Sequence, residues 1–202
     1  MNLPRDAAQA DFWDARYREG ITPWEAGAAP AELREAAARW AATRAGMHPA
    51  VRVLVPGCGS AHDVALLAGA GLDVLGIDFS AAAVQAALSI TPKVAQEDFF
   101  GFPQAEGGYD VVYERAFLCA LPRRLWPAWG ARVASLVRCG GLLEGYFFLA
   151  DTPRGPPFGI LREALYALLD PAFALEADEA PLASLPVFEG RERWMRWRRR
   201  DA

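Results

Sequence analysis

Two glycines and one carboxylate have the residue types and spacing of a ligand-binding loop. Gly57 and Gly59 follow an apolar run at residues 51–55, and Asp78 ends a second apolar run 21 residues after Gly57. Glycines let a ligand approach the backbone closely, and a carboxylate at a strand end can accept hydrogen bonds from ribose hydroxyls. The spacing predicts a site for an adenosine-containing ligand. A tight turn and an acid that begins a helix are the alternative interpretations.

The same loop lacks one residue that dinucleotide-binding loops contain. Their fingerprint places a third glycine where this chain has His62. That glycine lets the helix pack closely on the strand. The histidine therefore argues against a dehydrogenase that binds the pyrophosphate of NAD.

Two further strand ends carry residues suited to recognition or chemistry. Asp98 and Phe99 follow the third apolar segment, where a carboxylate can accept from an adenine amino group and a phenyl ring can pack on the base. Glu114 and Arg115 end the fourth segment, where an open α/β sheet places a substrate. A charged pair is unusual in a core, so we expect it to face a site, with a surface ion pair as the alternative.

The elements that must position these residues alternate along the chain. We expect strands at 51–55, 72–77, 94–97, 109–114 and 142–149, and helices at 31–45, 61–70, 80–88, 123–138 and 160–169. This alternation predicts an α/β fold with a Rossmann-like, doubly wound and mostly parallel sheet. Two consecutive strand patterns, at 173–179 and 191–197, predict a C-terminal antiparallel hairpin.

Glycines, prolines and one serine indicate where several elements begin and end. Ser80 is the expected N-cap of the helix that follows it. Gly46 and Pro49 are expected to end the first helix, and Pro127 to kink a later one. A Gly140-Gly141 turn is expected before the last parallel strand.

Composition and charge limit the kinds of molecule that we expect the protein to bind. The chain has 202 residues, 53% hydrophobic content and a formal net charge of -4, so nucleic acid is not an expected partner. No apolar run approaches the roughly 20 residues that span a bilayer, so no membrane partner is expected. Three scattered cysteines have neither a disulfide pattern nor zinc spacing, which predicts no metal site and a reduced, cytoplasmic location.

The organisation of the chain is equally simple. No repeat or long linker interrupts it, so we expect one domain over residues 1–202. Residues 1–30 are rich in aromatic residues, glycine and proline and form an expected N-terminal extension. The expected partner is a small-molecule substrate. The sequence does not indicate the oligomeric state, and we favour a monomer.

Several segments taken together resemble one family. They are residues 12–24, 53–71, 74–80, 97–100, 109–122, 140–141 and 155–158. In this order they are similar to the thiopurine S-methyltransferase family, especially its branch of plant and bacterial thiol and halide methyltransferases. The resemblance covers nearly the whole chain. It implies a class I methyltransferase fold, with S-adenosylmethionine as the cofactor and a thiol, thiopurine or halide as the methyl acceptor.

The resemblance also assigns roles to matching residues. Aromatic residues of the extension would cover the cofactor, the glycine loop and strand end would hold its methionine and ribose parts, and the next strand end would hold adenine. The cofactor-binding set is Trp13, Tyr17, Trp24, Gly57, Gly59, Asp78, Phe79, Asp98, Phe99 and Arg115. Arg115 would lie beside the methionine part and the substrate, which makes it the candidate catalytic residue.

Three positions depart from the family pattern. Tyr17 stands where the thiopurine enzymes have tryptophan, and Asp78 stands where many relatives have glutamate. Ala61 replaces a glycine that is frequent in the halide branch, which weakens the assignment to that branch.

Two other functions remain open at this point. An NAD-dependent oxidoreductase is disfavoured by His62 and by the lack of a Tyr-x-x-x-Lys pair. A non-catalytic protein that binds an adenosine ligand is compatible with the same residues. For a methyltransferase, the sulfonium is already a strong methyl donor, so the protein mainly has to align the acceptor and exclude water. A halide needs no base, and a base is optional for a thiol.

Overall fold

Short β-branched runs and alanine-rich segments alternate along the chain, and they form the strands and helices of an α/β fold. The computed structural model describes residues 6–44, 50–103 and 105–201. The chain divides into two compact units, Met1–Phe102 and Pro103–Ala202.

The first unit contains four helices and three parallel strands among its described residues. In chain order they are α1 (Ala10–Arg18), α2 (Ala31–Ala42), β1 (Arg52–Pro56), α3 (His62–Gly69), β2 (Asp73–Asp78), α4 (Ala81–Leu88) and β3 (Val94–Gln96). The strand order is β3-β2-β1, so β2 is central and pairs with both neighbours in parallel.

Close packing in this unit depends on one glycine of β2. A Cβ atom on Gly76 would lie 2.8 Å from the Val64 side chain of α3 and 3.0 Å from the Cys58 sulfur. Glycine at this position therefore lets α3 and the loop before it approach the strand. At the end of the same strand, Ser80 accepts a hydrogen bond from the Ala83 N–H at 3.1 Å, which confirms it as the N-cap of α4.

The second unit contains two longer helices and four strands among its described residues. They are β4 (Tyr109–Arg115), α5 (Trp126–Leu136), β5 (Val137–Phe148), α6 (Arg162–Leu169), β6 (Phe173–Glu179) and β7 (Glu192–Arg199), with short 3₁₀ helices at Leu118–Ala120 and Arg123–Leu125. The strand order is β4-β5-β7-β6. The β4–β5 pair is parallel, and the other two pairs are antiparallel. The α/β, mostly parallel fold class and the C-terminal hairpin are therefore confirmed.

Two sequence predictions about this unit are wrong. Pro127 does not kink a helix, because α5 begins at Trp126 and the proline lies in its first turn, where no helical N–H bond is lost. Gly140 and Gly141 do not form a turn before the strand, because both lie inside β5, which runs from Val137. The pairing of β5 with β4 shifts register there, so the two glycines accommodate an irregular stretch of a long strand.

Other element ends differ from prediction by one to a few residues. The first predicted helix ends at Ala42 rather than at residue 45. Its predicted terminators, Gly46 and Pro49, lie outside the described residues. No helix within the described ranges is both long enough and apolar enough to cross a membrane.

Candidate functional site

Asp78 joins the end of β2 to the glycine loop. Its Oδ2 accepts a hydrogen bond from the Gly59 N–H at 3.1 Å, and its Oδ1 accepts one from the Ser80 N–H at 2.9 Å. Burial raises the pKa of this carboxyl to about 6, although the two N–H bonds act to lower it. The carboxylate is thus fixed in orientation by both oxygens, as a group that receives ligand hydroxyls must be.

The loop itself needs glycine for conformation and for space. Gly57 and Gly59 have φ values of 59° and 53°, in the left-handed region that favours glycine. A Cβ atom on Gly59 would lie 2.5 Å from Glu25 Oε1 and 2.6 Å from the Tyr17 hydroxyl. Ala61, which replaces a family glycine, also has a positive φ of 63°.

Glu25 is a site residue that sequence reasoning missed. Its Oε1 accepts one hydrogen bond from the Tyr17 hydroxyl at 2.7 Å and another from the Ser60 N–H at 3.0 Å. The N-terminal extension therefore places a carboxylate directly on the glycine loop. The sequence offered one indication of this role: Glu25 follows Trp24 directly, at the end of an aromatic segment.

The three aromatic residues predicted to cover the cofactor form one cluster. The Trp13 and Trp24 ring centres are 5.3 Å apart, and those of Tyr17 and Trp24 are 6.2 Å apart, in edge-to-face geometry. The Trp24 indole N–H donates to the Tyr17 hydroxyl at 3.3 Å, and the Trp13 indole N–H donates to the Ala7 carbonyl at 2.8 Å. Burial, followed by the charge of Glu25, raises the pKa of Tyr17. Its hydroxyl therefore remains a donor.

Asp14 is a second residue that the sequence did not reveal. It lies on α1, and its Oδ1 accepts from the Ser80 hydroxyl at 2.6 Å and from the Ala82 N–H at 3.0 Å. A carboxylate at these N–H groups also matches the positive end of the α4 dipole. Burial acts to raise the pKa of Asp14, but the bonds from Ala82 and Ser80 and the charge of Arg18 lower it overall.

The predicted adenine-binding residues lie after β3. Asp98 Oδ1 accepts from the Phe100 N–H at 3.0 Å, so this carboxylate shapes its own turn. The Phe99 ring is buried and lies edge-to-face with Phe100 at 5.3 Å. Phe79, at the end of β2, is half-buried, and its carbonyl accepts from the Gln96 side chain at 3.4 Å.

In the second unit, the charged pair at the end of β4 has two different environments. Glu114 is only 2% exposed, and its Oε1 accepts from the N–H groups of Phe117 at 2.8 Å and Leu118 at 3.0 Å. Burial raises the pKa of Glu114 to about 7, while these two bonds act to lower it. Arg115 is half-buried, and its guanidinium carbon lies 5.8 Å from the centre of the Tyr146 ring.

A cavity adjoins this buried acid within the second unit. It is small, with room for about one water molecule. Its lining consists of Glu114, Ala116, Leu118, Cys119, Tyr146, Phe147, Phe148, Phe158, Ile160 and Glu192. Burial, followed by the charges of Glu114 and Glu192, raises the pKa of the Cys119 thiol. Cys119 therefore remains protonated and is not a nucleophile.

The structure brings most of the predicted cofactor residues of the first unit together. Gly59 and Asp78 are hydrogen-bonded, and the cluster of Trp13, Tyr17 and Trp24 reaches the same loop through Glu25. Gly57 belongs to that loop, while Phe79, Asp98 and Phe99 follow the adjacent strand ends. Arg115 ends a strand of the second unit. Within the described residues, no group of three or more His, Cys, Asp and Glu side chains has the arrangement of a metal site.

The chain matches one protein family over nearly its full length. The model of the family described as thiopurine S-methyltransferase (TPMT) matches residues 8–200. The chain belongs to the thiopurine S-methyltransferase family. This family uses S-adenosylmethionine as its methyl donor, so the predicted cofactor and the predicted methyltransferase activity are both confirmed. The NAD-dependent alternative is thereby set aside.

Individual relatives agree with this family assignment. Thiocyanate methyltransferase 1 of Arabidopsis thaliana is 29% identical, with 93% of this chain and 84% of the relative covered. Thiopurine S-methyltransferase of Pseudomonas syringae pv. tomato is 30% identical, with 75% and 76% covered.

A solved structure supports the fold. It is the 1,6-didemethyltoxoflavin-N1-methyltransferase of Burkholderia thailandensis, crystallised with S-adenosylhomocysteine. It superposes with a TM-score of 0.72 at 20% identity and covers 100% of this chain and 94% of its own. At this identity the likeness concerns the fold, and it confirms the class I methyltransferase architecture.

Proposed function

We propose that this methyltransferase transfers the methyl group of S-adenosylmethionine to a small sulfur nucleophile, a thiol or thiopurine. The observation that carries the proposal is the Asp78 carboxylate, bonded to the glycine loop at Gly59 and oriented by Ser80. The relatives support sulfur as the acceptor atom, because their names include thiopurine, thiol and thiocyanate methyltransferases.

The loop and the strand end fit an adenosine ligand. The Asp78 carboxylate is oriented to accept hydrogen bonds from the two ribose hydroxyls. The backbone at Gly57 and Gly59 has no side chain, so the methionine part of the cofactor can approach it closely. Glu25 adds a negative charge at the same loop, which complements the positively charged ammonium group of that part.

The other predicted cofactor residues have consistent chemistry. Asp98 and Phe99, after β3, would receive adenine through its amino group and its ring face. Phe79 follows Asp78 and belongs to the same strand end. We keep these three as proposed cofactor contacts.

The aromatic cluster supplies the chemistry that a sulfonium requires. When bound, S-adenosylmethionine supplies an electrophilic methyl group on a positively charged sulfur. Rings such as those of Trp13, Tyr17 and Trp24 stabilise a cation on their faces by roughly 0.5–2 kcal/mol and exclude water from the site. All three rings belong to the N-terminal extension, residues 1–30. The extension would thus cover the cofactor.

Arg115 is the proposed catalytic residue. A guanidinium beside a strand end can orient a thiolate or hold the cofactor carboxylate. The packing of Arg115 against the Tyr146 ring limits the directions in which it points, which favours a positioning task.

The proposal also includes the domain organisation, the cellular location and the oligomeric state. The family model covers residues 8–200, which supports one methyltransferase domain over residues 1–202. Cys58, Cys119 and Cys139 are free thiols, which supports a reducing, cytoplasmic location. We favour a monomer that acts on a small molecule and binds no nucleic acid, and light scattering on the purified protein tests the oligomeric state.

Ligand binding and turnover test the proposed function together. S-adenosylhomocysteine should raise the melting temperature, because a ligand that binds only the native state stabilises it. The wild-type enzyme should then methylate at least one member of a panel of alkyl thiols, aromatic thiols and thiopurines. NADH serves as the matched control and should give no shift. Binding without turnover on any thiol would contradict the proposal and favour a protein that only binds the cofactor.

A further inference from the structure

Glu25 has one oxygen engaged with the protein and one that is not. Its Oε1 accepts from the Tyr17 hydroxyl at 2.7 Å and from the Ser60 N–H at 3.0 Å. Among the residues that the structure describes, no hydrogen-bond donor reaches Oε2. The side chain is half-buried and lies against the glycine loop, since a Cβ atom on Gly59 would be 2.5 Å from Oε1. An acceptor oxygen is therefore available at this loop.

The negative charge of Glu25 is not balanced by a nearby cation. Asp14, the other acid of the extension at this site, forms an ion pair with Arg18 at 3.3 Å. Neither Glu25 nor Asp78 has an arginine, lysine or histidine within ion-pair distance in the described part of the chain. Burial is the main cause that raises the pKa of Asp78 to about 6, and the charge of Glu25 adds to it. Two acids this close favour a ligand group of positive charge.

The backbone of the loop also disfavours a negatively charged ligand. Loops that bind phosphate present free N–H groups to it. Here the Gly59 N–H donates to Asp78, and the Ser60 N–H donates to Glu25. Carboxylates of the protein thus occupy the donors that a phosphate would use, and they would repel it.

The cofactor has two positively charged groups, and they require different partners. The sulfonium has no hydrogen to donate, so the faces of aromatic rings suit it. The α-ammonium group of the methionine part has three N–H donors, so it requires acceptor oxygens, best of all charged ones. The open oxygen of Glu25 is such an acceptor, at the loop that we propose to hold the methionine part.

We propose that Glu25 Oε2 binds the α-ammonium group of the cofactor and that this bond holds the cluster of Trp13, Tyr17 and Trp24 in place. The inference rests on the proposed function, because it assumes that the glycine loop receives the methionine part. It gives the extension a specific contact with the ligand, and it makes the position of the rings depend on one group of that ligand.

A chain of hydrogen bonds connects Glu25 to the rings. The Tyr17 hydroxyl donates to Glu25 and accepts from the Trp24 indole N–H at 3.3 Å. The Trp13 ring packs edge-to-face against Trp24, with the ring centres 5.3 Å apart. An ammonium group that fixes the carboxylate therefore restricts the hydroxyl and both indole rings. A ligand without that group would leave the rings less restrained.

The first test changes the residue and the ligand separately. Titration calorimetry measures how wild type and Glu25→Gln bind S-adenosylhomocysteine and an analogue of it in which hydrogen replaces the amino group. We expect each single change to weaken binding roughly 10- to 150-fold, the scale of a hydrogen bond to a charged group, and both together to weaken it little further. Glu19→Gln, the same substitution at an exposed position of the extension, should bind both ligands as the wild type does.

Hydrogen exchange over residues 10–24 measures the restraint on the segment that carries the rings. In the wild type, saturating S-adenosylhomocysteine should slow exchange severalfold more than the saturating analogue does. In Glu25→Gln the two ligands should have equal effects. Tyr17→Phe breaks the chain of hydrogen bonds but keeps Glu25, so it should retain the difference in affinity between the ligands and lose the difference in exchange.

Three results would overturn the inference while leaving the proposed function intact. One is a Glu25→Gln variant that still prefers S-adenosylhomocysteine to the analogue by the wild-type factor, which would make Glu25 only a link between the extension and the loop. Another is a wild type that binds both ligands equally well. The third is equal exchange over residues 10–24 with both ligands in the wild type.

A second variant keeps the inference testable if Glu25→Gln does not fold. Glu25→Asp keeps the charge but withdraws it by one carbon, so it should discriminate between the ligands less than the wild type does, and unchanged discrimination would contradict the inference. Failure of the proposed function is distinct. It would appear as a wild type that does not bind S-adenosylhomocysteine, or that binds it and methylates no thiol.

Discussion

The two units each place an acidic residue at the end of a parallel strand, and the two carboxylates are held differently. Asp78, after β2, has one backbone N–H on each oxygen, from Gly59 and Ser80. Glu114, after β4, has two backbone N–H groups on the same oxygen. Burial raises both pKa values, to about 6 for Asp78 and about 7 for Glu114.

This difference affects how firmly each carboxylate is oriented and how readily it gains or loses a proton. A carboxylate with both oxygens bonded is fixed in its plane and stays ionised at neutral pH, which suits hydrogen bonds to ribose. A carboxylate that accepts both N–H bonds on one oxygen, and whose pKa burial raises to about 7, can change its protonation state near neutral pH. The same chemical group at similar strand ends is thus held in two ways, because the backbone N–H groups are distributed differently.

Stability against pH is the strongest test of the contrast. The folded pKa of Glu114, about 7, lies above that of an unfolded glutamate, so the folded state binds more protons between about pH 4.5 and 7. The free energy of unfolding should therefore fall as pH rises through this window, by up to about 3 kcal/mol. In Glu114→Gln this part should vanish. Urea denaturation of both proteins at pH 5 and pH 8 measures it, and an equal pH slope in both would contradict the assignment.

Removal of Asp78 should act on binding. Asp78→Ala should weaken S-adenosylhomocysteine affinity by about 1.5–3 kcal/mol, or roughly 10- to 150-fold, because hydrogen bonds to a charged group are lost. Titration calorimetry measures the change. Asp73→Ala, at the exposed start of the same strand, is the control and should bind normally. Unchanged affinity in Asp78→Ala would show that Asp78 does not contact the ligand and only connects the glycine loop to the start of α4.

Arg115 distinguishes binding from chemistry in the second unit. If it orients the acceptor, Arg115→Ala should lower kcat about tenfold and change S-adenosylhomocysteine affinity much less. Arg115→Lys should restore part of the rate, because a compact ammonium does not reproduce a planar guanidinium. Equal losses in affinity and rate would instead place the side chain on the cofactor carboxylate. Arg124→Ala, on the exposed surface, is the control.

Cofactor affinity should depend on pH through Asp78. In the proposed site the ionised carboxylate accepts the ribose hydroxyls, and burial raises its pKa to about 6. The affinity for S-adenosylhomocysteine should therefore be constant above pH 7 and fall about fivefold between pH 6 and 5 as the group protonates. Calorimetry at three pH values checks this, and Asp78→Asn should give a flatter profile. A flat wild-type profile would be evidence against direct contact.

The smallest expected effect on affinity concerns the cluster of Trp13, Tyr17 and Trp24. Tyr17→Phe removes the hydroxyl that donates to Glu25 and accepts from Trp24, while it keeps the ring. We expect S-adenosylhomocysteine affinity to weaken by about 0.5–1.5 kcal/mol, the scale of one net hydrogen bond. Tyr166→Phe on α6 is the matched control. A loss well above tenfold would show that the hydroxyl itself contacts the ligand.

The parts of the fold that follow from local pattern could be predicted from the sequence. Alternating strands and helices, the Ser80 cap and the spacing of Gly59 and Asp78 depend on residues close in the chain. Pro127 and the Gly140-Gly141 pair were misinterpreted because proline also begins helices, and glycine also occurs in irregular strands. Local composition does not separate these cases.

The missed site residues have a different cause. Glu25 contacts Ser60 across 35 positions, and Asp14 contacts Ser80 across 66 positions. No periodic pattern links residues so far apart, and an acid on a helix or in a loop is ordinarily solvated. Their roles emerge only when the chain folds the extension onto the loop.

These two long-range bonds limit how the enzyme can be recombined with its relatives. A chimaera that exchanges residues 1–30 alone would replace Asp14 and Glu25 while it retains their N–H partners at Ser60 and Ala82. Such a hybrid keeps the interface only if the donor supplies an acid at both positions. The natural crossover point therefore lies beyond α4, so that the extension and the loop that it covers are inherited as one segment.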